Sequence, residues 1–429
     1  MDDKKTAKMR SAIILIAMAA LLGCGGGGSK SAPADPGAEV LPASFAFGTV
    51  TPSSTPAPLV VKINSVGTTN LVVSDIVLSD ETNFSLDLNG GPTPCGSRTP
   101  TLGAGGTCTF EVHFHPGTEA AFTANVRISN NHQTRTVELN GTAEPVTELT
   151  VRINQVIAEC ATNDWTAYVS VTDQAGYAYS GLTQGDFSIA MDGPIPIDID
   201  NFSGPPTTPL AISVVAVMDY SGSVRAQTEI VSDMEEGLID YINQMGPDDQ
   251  AEIIKFADEV EVVLGFSSNE DQLEDAIRTP FVGGDETSLY DAVYQAVEDL
   301  AALGTTRKAI LVLTDGIDND SAATNLAGVI SYANGAGIPV FPIALGNSIN
   351  RDDLSSLADE TGGQLYEAPT SDNIRNTYWQ LASVLFQNQY VLEFNDLPTD
   401  GTDDNLTVTV DDESFTEASP PRAITLCGP

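Results

Sequence analysis

The chain has 429 residues, and at about 150 residues per domain this length indicates two to four domains. Lys and Arg number 18 against 59 Asp and Glu, so the net charge is −41, while 41% of the residues are hydrophobic. That apolar fraction suits packed cores and excludes a disordered polyanion. The negative charge excludes nucleic acid as a partner, because phosphate binding depends on Lys and Arg.

The first residues have the pattern of a signal peptide. Basic residues precede an apolar run at residues 12–22, which is followed by Gly23 and Cys24. The run is shorter than the roughly 20 apolar residues that cross a bilayer, but it suits a cleaved signal. The Leu-Leu-Gly-Cys ending resembles the lipobox of bacterial lipoproteins, which implies a signal peptide at residues 1–23 and a lipid on Cys24. A plain signal peptide with a coincidental cysteine is the alternative.

Residues 24–41 are rich in Gly, Ser, Ala and Pro, and this composition predicts a flexible tether. The resemblance to lipoproteins implies, from Gly25 in place of Asp, sorting to an outer membrane if the cell has one. We therefore expect a lipid-anchored protein of the bacterial cell envelope. Its periplasmic or surface location is left open.

Four cysteines remain after Cys24, and an even number in an exported chain favours two disulfides. Three connectivities exist, and we prefer Cys95 with Cys108 and Cys160 with Cys427. The first pair closes a short loop, and the second joins distant parts of the chain. Zinc binding is the competing use of cysteine, but the chain contains no CxxC pair.

Residues 42–145 contain short β-branched runs separated by Gly, Pro, Asn and Ser, a pattern that predicts an antiparallel β-sandwich. Several of its motifs resemble the hydin-related immunoglobulin-like modules of bacterial envelope proteins, which implies a spacer or interaction module without catalysis. The motifs are Phe47-Gly48, Asn64-Ser65-Val66-Gly67, Phe84-Ser85, Cys95, Leu102, Cys108-Thr109-Phe110, Phe114 with Pro116, and Leu139-Asn140-Gly141-Thr142.

His113 and His115 lie two residues apart on one predicted strand and so face the same side, as half of a metal site would. The sequence shows no third ligand. A solvated strand face is the simpler interpretation.

Beyond this region, β patterns flank an α/β pattern. Residues 148–206 and 389–429 have strand patterns, and between them, at residues 207–388, buried apolar strands alternate with amphipathic helices. The alternation predicts a mainly parallel, doubly wound sheet covered on both sides. We expect a multidomain protein in which one β-sandwich is split by an inserted Rossmann-like domain and fastened by the disulfide between Cys160 and Cys427.

Oxygen-bearing side chains follow the predicted strands of the α/β region. Asp219, Ser221 and Ser223 follow one buried strand, Thr287 precedes a helix, and Asp315 follows another buried strand. Ligands of open α/β sheets bind at the carboxyl ends of the strands. Two carboxylates and three hydroxyls are hard donors, which favour Mg²⁺ and also suit Mn²⁺ or Ca²⁺.

These segments resemble a von Willebrand factor type A domain over residues 207–388, with its DxSxS signature complete. The resemblance implies a metal-ion-dependent adhesion site whose ion accepts an acidic side chain from a partner protein. Taken singly, each segment has a simpler interpretation, as a helix N-cap or a turn. The matching residues are Asp219, Ser221, Ser223, Thr287 and Asp315.

The sequence thus predicts a lipid-anchored binding protein rather than an enzyme. A Mg²⁺-dependent phosphatase is one alternative, but it needs a second Asp at the position of Ser221. A Ser-His-Asp hydrolase is disfavoured because His113, His115 and His132 all lie in the first β region. A structural envelope lipoprotein with an idle metal site is the other alternative.

Overall fold

The structure is a computed structural model that describes residues 35–52, 54–192, 195–205, 211–304, 307–346, 349–368, 371–395, 397–412 and 414–429. The predicted signal peptide and the predicted lipidation site, Cys24, lie outside these ranges. Within them, no helix is long and apolar enough to cross a membrane.

The first β domain has two packed sheets, of strand order β1-β3-β7-β5 and β2-β9-β8-β4-β6. Alternate residues of its strands are buried, as in β9, and the rings of Phe47, Phe84 and Phe114 contact one another in the core. The predicted β-rich region is confirmed. The strands are β1 (Ala38–Leu41), β2 (Ser44–Val50), β3 (Leu59–Ser65), β4 (Leu71–Leu78), β5 (Phe84–Asp87), β6 (Thr101–Leu102), β7 (Thr107–Phe114), β8 (Ala120–Asn130) and β9 (Arg135–Ala143).

One pairing differs from the predicted antiparallel arrangement, because β2 pairs with β9 in parallel. The chain leaves β1 in one sheet, passes Pro42 and Ala43, and enters β2 in the other sheet. This change of sheet lays β2 alongside the last strand of the domain. A disulfide joins Cys95 to Cys108, with an S–S distance of 2.03 Å.

Five strands follow the first domain, and a short 3₁₀ turn, Gln184–Asp186, precedes the third of them. They are β10 (Leu149–Glu159), β11 (Asp164–Asp173), β12 (Phe187–Met191), β13 (Ile195–Ile197) and β14 (Asn201–Ser203).

The α/β region contains a six-stranded sheet of order β17-β16-β15-β18-β19-β20, in which only the edge strand β17 is antiparallel to its neighbour among the described pairings. Its elements are β15 (Ile212–Asp219), α1 (Gly222–Arg225), α2 (Thr228–Ile242), β16 (Gln250–Phe256), β17 (Val260–Ser267), α3 (Glu270–Arg278), α4 (Leu289–Ala301), β18 (Arg307–Thr314), α5 (Leu326–Gly335), β19 (Val340–Leu345), α6 (Arg351–Thr361), β20 (Tyr366–Ala368) and α7 (Ser371–Ala382), followed by a π-helical turn, Ser383–Gln387.

Helices cover both faces of this sheet, so its central strands are continuously apolar. On β15, Val214, Ala216 and Met218 pack against α2, α3 and α7. Val215 and Val217 point the other way and pack against α4, α5 and α6. The prediction of a mainly parallel, doubly covered sheet is confirmed.

Two elements of this region, β17 and α3, were not predicted from the sequence. β17 is a half-exposed edge strand, so it lacks the continuous apolar run of its neighbours. α3 has only nine residues and buries Leu273, Ala276 and Ile277 alone; these lie at helical spacing, but a short helix with so few apolar residues is easily taken for a polar loop.

After α7, four strands return to the region of β10–β14. β21 pairs with β11 and β14, while β22 pairs with β12, so strands from both sides of the α/β region share two sheets. A disulfide joins Cys160 to Cys427 across this shared core, with the Cα atoms 5.4 Å apart. The strands are β21 (Tyr390–Phe394), β22 (Asp403–Asp412), β23 (Phe415–Ala418) and β24 (Arg422–Thr425).

The first β domain contacts the rest of the chain through polar groups. Thr51 Oγ1 donates to Asp173 Oδ2 at 2.5 Å in a buried position. The indole Nε1 of Trp379, on α7, donates to the carbonyl of Thr55 at 3.0 Å. These contacts fix the first domain against both β11 and α7.

A buried carboxyl in the sheet leads to a prediction on stability. Glu252 on β16 is 4% exposed, and burial, together with the neighbouring Asp299 carboxylate, raises its pKa from 4.5 to about 8. The folded protein therefore binds a proton that the unfolded chain has lost between these two pH values, and the free energy of unfolding falls as pH rises through this window.

We expect Glu252→Gln to abolish this fall in the free energy of unfolding, because glutamine does not ionise. Tm at pH 9 should therefore rise by at least about 2 °C, since about 1 kcal/mol shifts Tm by about 2–4 °C in a domain of this size. The gain should vanish below pH 4.5, where wild-type Glu252 is neutral in both states. Differential scanning calorimetry at both pH values measures it, with the exposed Glu298→Gln on α4 as the matched control. A lower Tm at pH 9 for Glu252→Gln would contradict the prediction.

Candidate metal centre

The carboxyl ends of two neighbouring strands bring the predicted ligands to one edge of the sheet. β15 ends at Asp219 and β18 ends at Thr314, and the two strands are parallel neighbours, with Met218 beside Leu313. β15 also lies between β16 and β18, so the chain leaves it toward one side and returns on the other. This is the topological switch point at which α/β sheets bind their ligands.

Hydrogen bonds join four of the five predicted residues into one cluster. Asp219 is fully buried; its Oδ1 accepts the amide of Ser221 at 2.8 Å and its Oδ2 accepts the Thr314 hydroxyl at 2.6 Å. Ser223 Oγ donates to Asp315 Oδ2 at 2.5 Å and lies 3.2 Å from Ser221 Oγ. The structure therefore brings together Asp219, Ser221, Ser223 and Asp315.

The fifth residue, Thr287, is 4% exposed and is hydrogen-bonded to the loop that carries Asp315. Its amide donates to Asn319 Oδ1 at 2.7 Å, and its carbonyl accepts the amide of Asn319 at 3.0 Å. The amide of Gly222 donates to the carbonyl of Asp285 at 3.2 Å, which joins the loop before α4 to α1. Thr287 is thus held beside the loop that follows β18.

Gly316 sets the direction of that loop. Its φ is +81°, and a Cβ built there would lie 2.7 Å from Leu354 Cδ1. Both the left-handed backbone and the close packing on α6 require glycine. The turn therefore directs Asp315 back toward Ser223.

The electrostatics of the cluster fit a cation. Burial raises the pKa of Asp219 to about 6, against the lowering effect of the hydrogen bonds from Ser221 and Thr314, and the nearby Asp315 carboxylate raises it further. Among the described ion pairs, none includes Asp219 or Asp315. Two adjacent carboxylates among hydroxyls, without a positive side chain, have the donor chemistry that a hard divalent ion takes.

Three supporting residues were not predicted from the sequence. Thr314 orients the Asp219 carboxylate, Asn319 fixes Thr287, and Arg225 holds the loop before α4. Thr314 lies next to Asp315, so its position at the strand end was a usable signal. The roles of Arg225 and Asn319 depend on contacts between segments distant in the chain.

Arg225 bridges two of the ligand loops. Its Nη2 donates to the carbonyl of Gly284 and to Asp285 Oδ1, the latter at 3.0 Å. Since Arg225 follows Ser223 on α1, this contact ties the Ser223 segment to the loop that carries Thr287.

We expect Arg225→Lys to weaken Mg²⁺ binding at least about tenfold, because groups that orient metal ligands typically contribute 10–100-fold to affinity. Lysine keeps the charge but not the planar, multiple-donor geometry of the guanidinium. Isothermal titration calorimetry measures the change, with Arg278→Lys, which pairs with Glu236 and Glu274 on the surface, as the matched control. Equal affinities for the two variants would show that Arg225 does not position the site.

Two other acidic residues, Asp318 beside the cluster and Asp400 near the C-terminus, have structural partners. Asp318 Oδ1 accepts the Tyr290 amide at 3.3 Å and the Ser321 hydroxyl at 2.5 Å. Asp400 Oδ1 accepts the amide and the hydroxyl of Thr402 at 3.0 and 2.7 Å. Both carboxylates thus stabilise turns.

Fold and site together define an α/β domain with a cluster of hard oxygen donors at its switch point. Residues 213–380 match the family model of the von Willebrand factor type A domain, and the prediction of such a domain is confirmed. No curated protein matches the chain.

Solved structures resemble parts of the chain. Proximal thread matrix protein 1 from the mussel byssus is 16% identical, with a TM-score of 0.40 over 46% of this chain and 51% of that one, so the match spans about half of that protein. Another structure of the mussel protein, 17% identical with a TM-score of 0.40 over 46% and 50% of the two chains, has a zinc-occupied MIDAS motif.

Two bacterial proteins are also similar. A von Willebrand factor type A protein from Catenulispora acidiphila is 11% identical, with a TM-score of 0.39 over 66% of this chain and 73% of that one. The vWF domain of the type V pili tip protein Mfa5 from Porphyromonas gingivalis is 11% identical, with a TM-score of 0.35 over 41% of this chain and 95% of that one.

Proposed function

We propose that this protein binds a protein partner through a divalent ion held in its von Willebrand factor type A domain. Mg²⁺ is the ion of first choice, with Mn²⁺ and Ca²⁺ as alternatives. The observation that carries the proposal is the buried Asp219 carboxylate, which lies beside Asp315 and three hydroxyl-bearing residues without a cationic partner in the described chain. The ligands are Asp219, Ser221, Ser223, Thr287 and Asp315.

The same cluster has one side open to a partner. Asp219 and Ser221 are buried, whereas Ser223 is exposed and Asp315 is half-buried. An ion there receives charge from only two carboxylates, so it stays electrophilic enough to take a further carboxylate. We infer that an Asp or Glu side chain of the partner fills the solvent-facing position.

Two features support an exported, anchored location. Cys95, Cys108, Cys160 and Cys427 are all paired in disulfides, which are typical of oxidising compartments. The sequence ahead of β1 suits a lipid anchor at Cys24 followed by a tether, which is shorter than predicted because residues 38–41 form β1 of the first domain. We therefore propose the bacterial cell envelope, with the lipid in the outer membrane.

The protein acts, in this proposal, as a binding protein without catalysis. Ser221 occupies the place where an aspartyl-phosphate enzyme needs its acid. The histidines lie on or beside β7 and β8, in a domain other than the one that holds the cluster.

A capture experiment tests the proposed function. The immobilised full chain is incubated with envelope extract in Mg²⁺ or in EDTA, and wild type is compared with Asp219→Asn and with the matched surface control Asp320→Asn. We expect one set of proteins to be retained by wild type and Asp320→Asn in Mg²⁺ only. Retention of the same proteins in EDTA, or by Asp219→Asn, would overturn the proposal.

A further inference from the structure

A second group of metal-binding side chains lies in the first β domain. β5 and β7 are antiparallel neighbours, with Asp87 opposite Glu111 and Ser85 opposite His113. Glu111 and His113 are two residues apart and so face the same side of the strand. The sequence suggested His113 with His115 as half of a site, whereas the structure gathers His113 with two carboxylates.

The distances suit a common ion. The ligand atoms of Asp87, Glu111 and His113 all lie within 4.8 Å of one another, and His113 Nε2 is 3.4 Å from Glu111 Oε2. Two ligands of a tetrahedral ion are about 3.4 Å apart when each bond is about 2.1 Å. Asp87 is exposed, so its side chain has room to turn toward the other two ligands.

Glu111 lies close to the loop after β5. A Cβ built on Gly90 would lie 2.6 Å from the carboxyl carbon of Glu111, so the lack of a side chain at Gly90 leaves space for the carboxylate there. The side chains of Glu111 and His113 are 21% and 29% exposed. Two of the three ligands are therefore partly shielded from water.

The charges of Asp87 and Glu111 also favour the binding of a cation. Asp87 and Glu111 face each other across two strands, an arrangement of like charges that destabilises a sheet. In the part of the chain that the structure describes, the Glu111 carboxylate has an ion pair with His113 alone, and Asp87 has none. A divalent ion between the strands would convert this repulsion into attraction.

We propose that Asp87, Glu111 and His113 bind a first-row transition-metal ion, with Zn²⁺ as the preferred ion. An imidazole with two carboxylates suits Zn²⁺, and three protein ligands leave the fourth position to water. The imidazole also disfavours Mg²⁺ and Ca²⁺, which take oxygen ligands. This site differs in domain, donor set and preferred ion from the cluster around Asp219.

The site stabilises the pairing of β5 with β7, on the side of the first domain that lies within electrostatic reach of Asp240 on α2. A bound ion would lower the negative charge at this junction. We therefore expect Zn²⁺ binding to raise the stability of the first β domain.

Isothermal titration calorimetry with ZnCl₂ tests the proposal on the full chain carrying Asp219→Asn, which removes the other site. We expect one Zn²⁺ per chain in this background. Adding His113→Gln, or separately the isosteric Glu111→Gln, should weaken binding at least about tenfold, in line with the loss that even indirect partners of a metal cause. His115→Gln and His132→Gln are the matched controls and should leave the affinity unchanged.

Two results would overturn the site: unchanged Zn²⁺ affinity in both His113→Gln and Glu111→Gln, or an equal loss in the His115→Gln and His132→Gln controls, which would indicate scattered surface binding. Circular dichroism of each variant confirms folding, and the conservative Glu111→Gln keeps the test valid if His113→Gln unfolds. His113→Gln alone should not change Mg²⁺ binding at the Asp219 cluster, so the two sites succeed or fail separately.

Discussion

Replacing Asp219 with asparagine should abolish Mg²⁺ binding at the strand ends and, in the metal-free protein, raise the free energy of unfolding. Asparagine has the same shape and keeps an oxygen for the Ser221 amide, while the Thr314 hydroxyl can turn to accept from the new amide group. The variant therefore removes the negative charge that the ion requires and leaves the packing in place. These opposite effects on binding and on stability distinguish a ligand from a structural residue.

The sign of the stability effect follows from the pKa of Asp219. Burial raises that pKa from 3.8 to about 6, so between these pH values the folded protein holds a proton that the unfolded chain has released. The free energy of unfolding of the metal-free wild type therefore falls as pH rises through this window, and the whole cost, about 3 kcal/mol, is present above pH 6. Asp219→Asn does not carry this cost, so it should be the more stable protein at pH 7.5.

Mg²⁺ should reverse the order of stability of wild type and Asp219→Asn. An ion at 100 times its Kd stabilises the wild type by about 2.7 kcal/mol, which corresponds to a rise in Tm of about 5–10 °C for a domain of this size. Asp219→Asn should show no such rise.

Calorimetry in EDTA and in Mg²⁺ at pH 7.5 measures both effects, with Asp320→Asn as the control for loss of one surface charge. The amide of Asp320 contacts the carbonyl of Thr287, but this backbone contact survives the substitution. A Mg²⁺-dependent rise in Tm that persists in Asp219→Asn would remove Asp219 from the ligand set. A lower Tm of that variant in EDTA would show that the buried carboxylate is stabilising.

Much of the α/β region could be predicted because its signals are local. A continuous apolar strand such as Ile212–Asp219 is visible without any knowledge of its neighbours, and so is the DxSxS segment that follows it. Parallel strands place their carboxyl ends at one edge, so Asp219 and Asp315 could be assigned to one site before their distance was known. The hydroxyl of Thr314, next to Asp315, is a further local signal of the same site.

What could not be predicted depends on contacts between distant segments. Nothing near Arg225 in the sequence indicates that it reaches Gly284, and the pairing of Asp87 with Glu111 follows from a strand register that the sequence does not display. The parallel pairing of β2 with β9 has the same origin. The edge strand β17 was missed because one exposed side removes the apolar run that marks its neighbours.

The disulfide between Cys160 and Cys427 should contribute more to the free energy of unfolding than the disulfide between Cys95 and Cys108. Replacing both residues with serine should lower the free energy of unfolding by about 5 kcal/mol, whereas Cys95→Ser with Cys108→Ser should cost about 3 kcal/mol. The difference comes from loop length: the two bridges join residues 267 and 13 positions apart, and the entropy that a cross-link removes from the unfolded chain grows with the logarithm of that separation.

The full effect requires the shared sheets and the α/β region to unfold together, because a folded α/β region would hold the two ends close and shorten the effective loop. Buried hydrogen bonds across this boundary favour joint unfolding. Gln389 Oε1 accepts from Arg307 at 2.5 Å, while its Nε2 donates to Asn154 Oδ1 at 2.8 Å. Opening the shared sheets would leave these buried groups without partners, which costs about 1–3 kcal/mol for each.

Trp165 provides a probe at the right place. It is 2% exposed on β11 and pairs with Phe394 on β21, so its fluorescence reports on strands from both sides of the α/β region. In a Trp379→Phe background it is the only tryptophan, since the chain has two. Urea unfolding of this protein and of the two serine pairs then gives the three free energies on one signal. A loss of about 3 kcal/mol or less for the long bridge, equal to that for the short one, would show that the α/β region stays folded while the sheets around it separate.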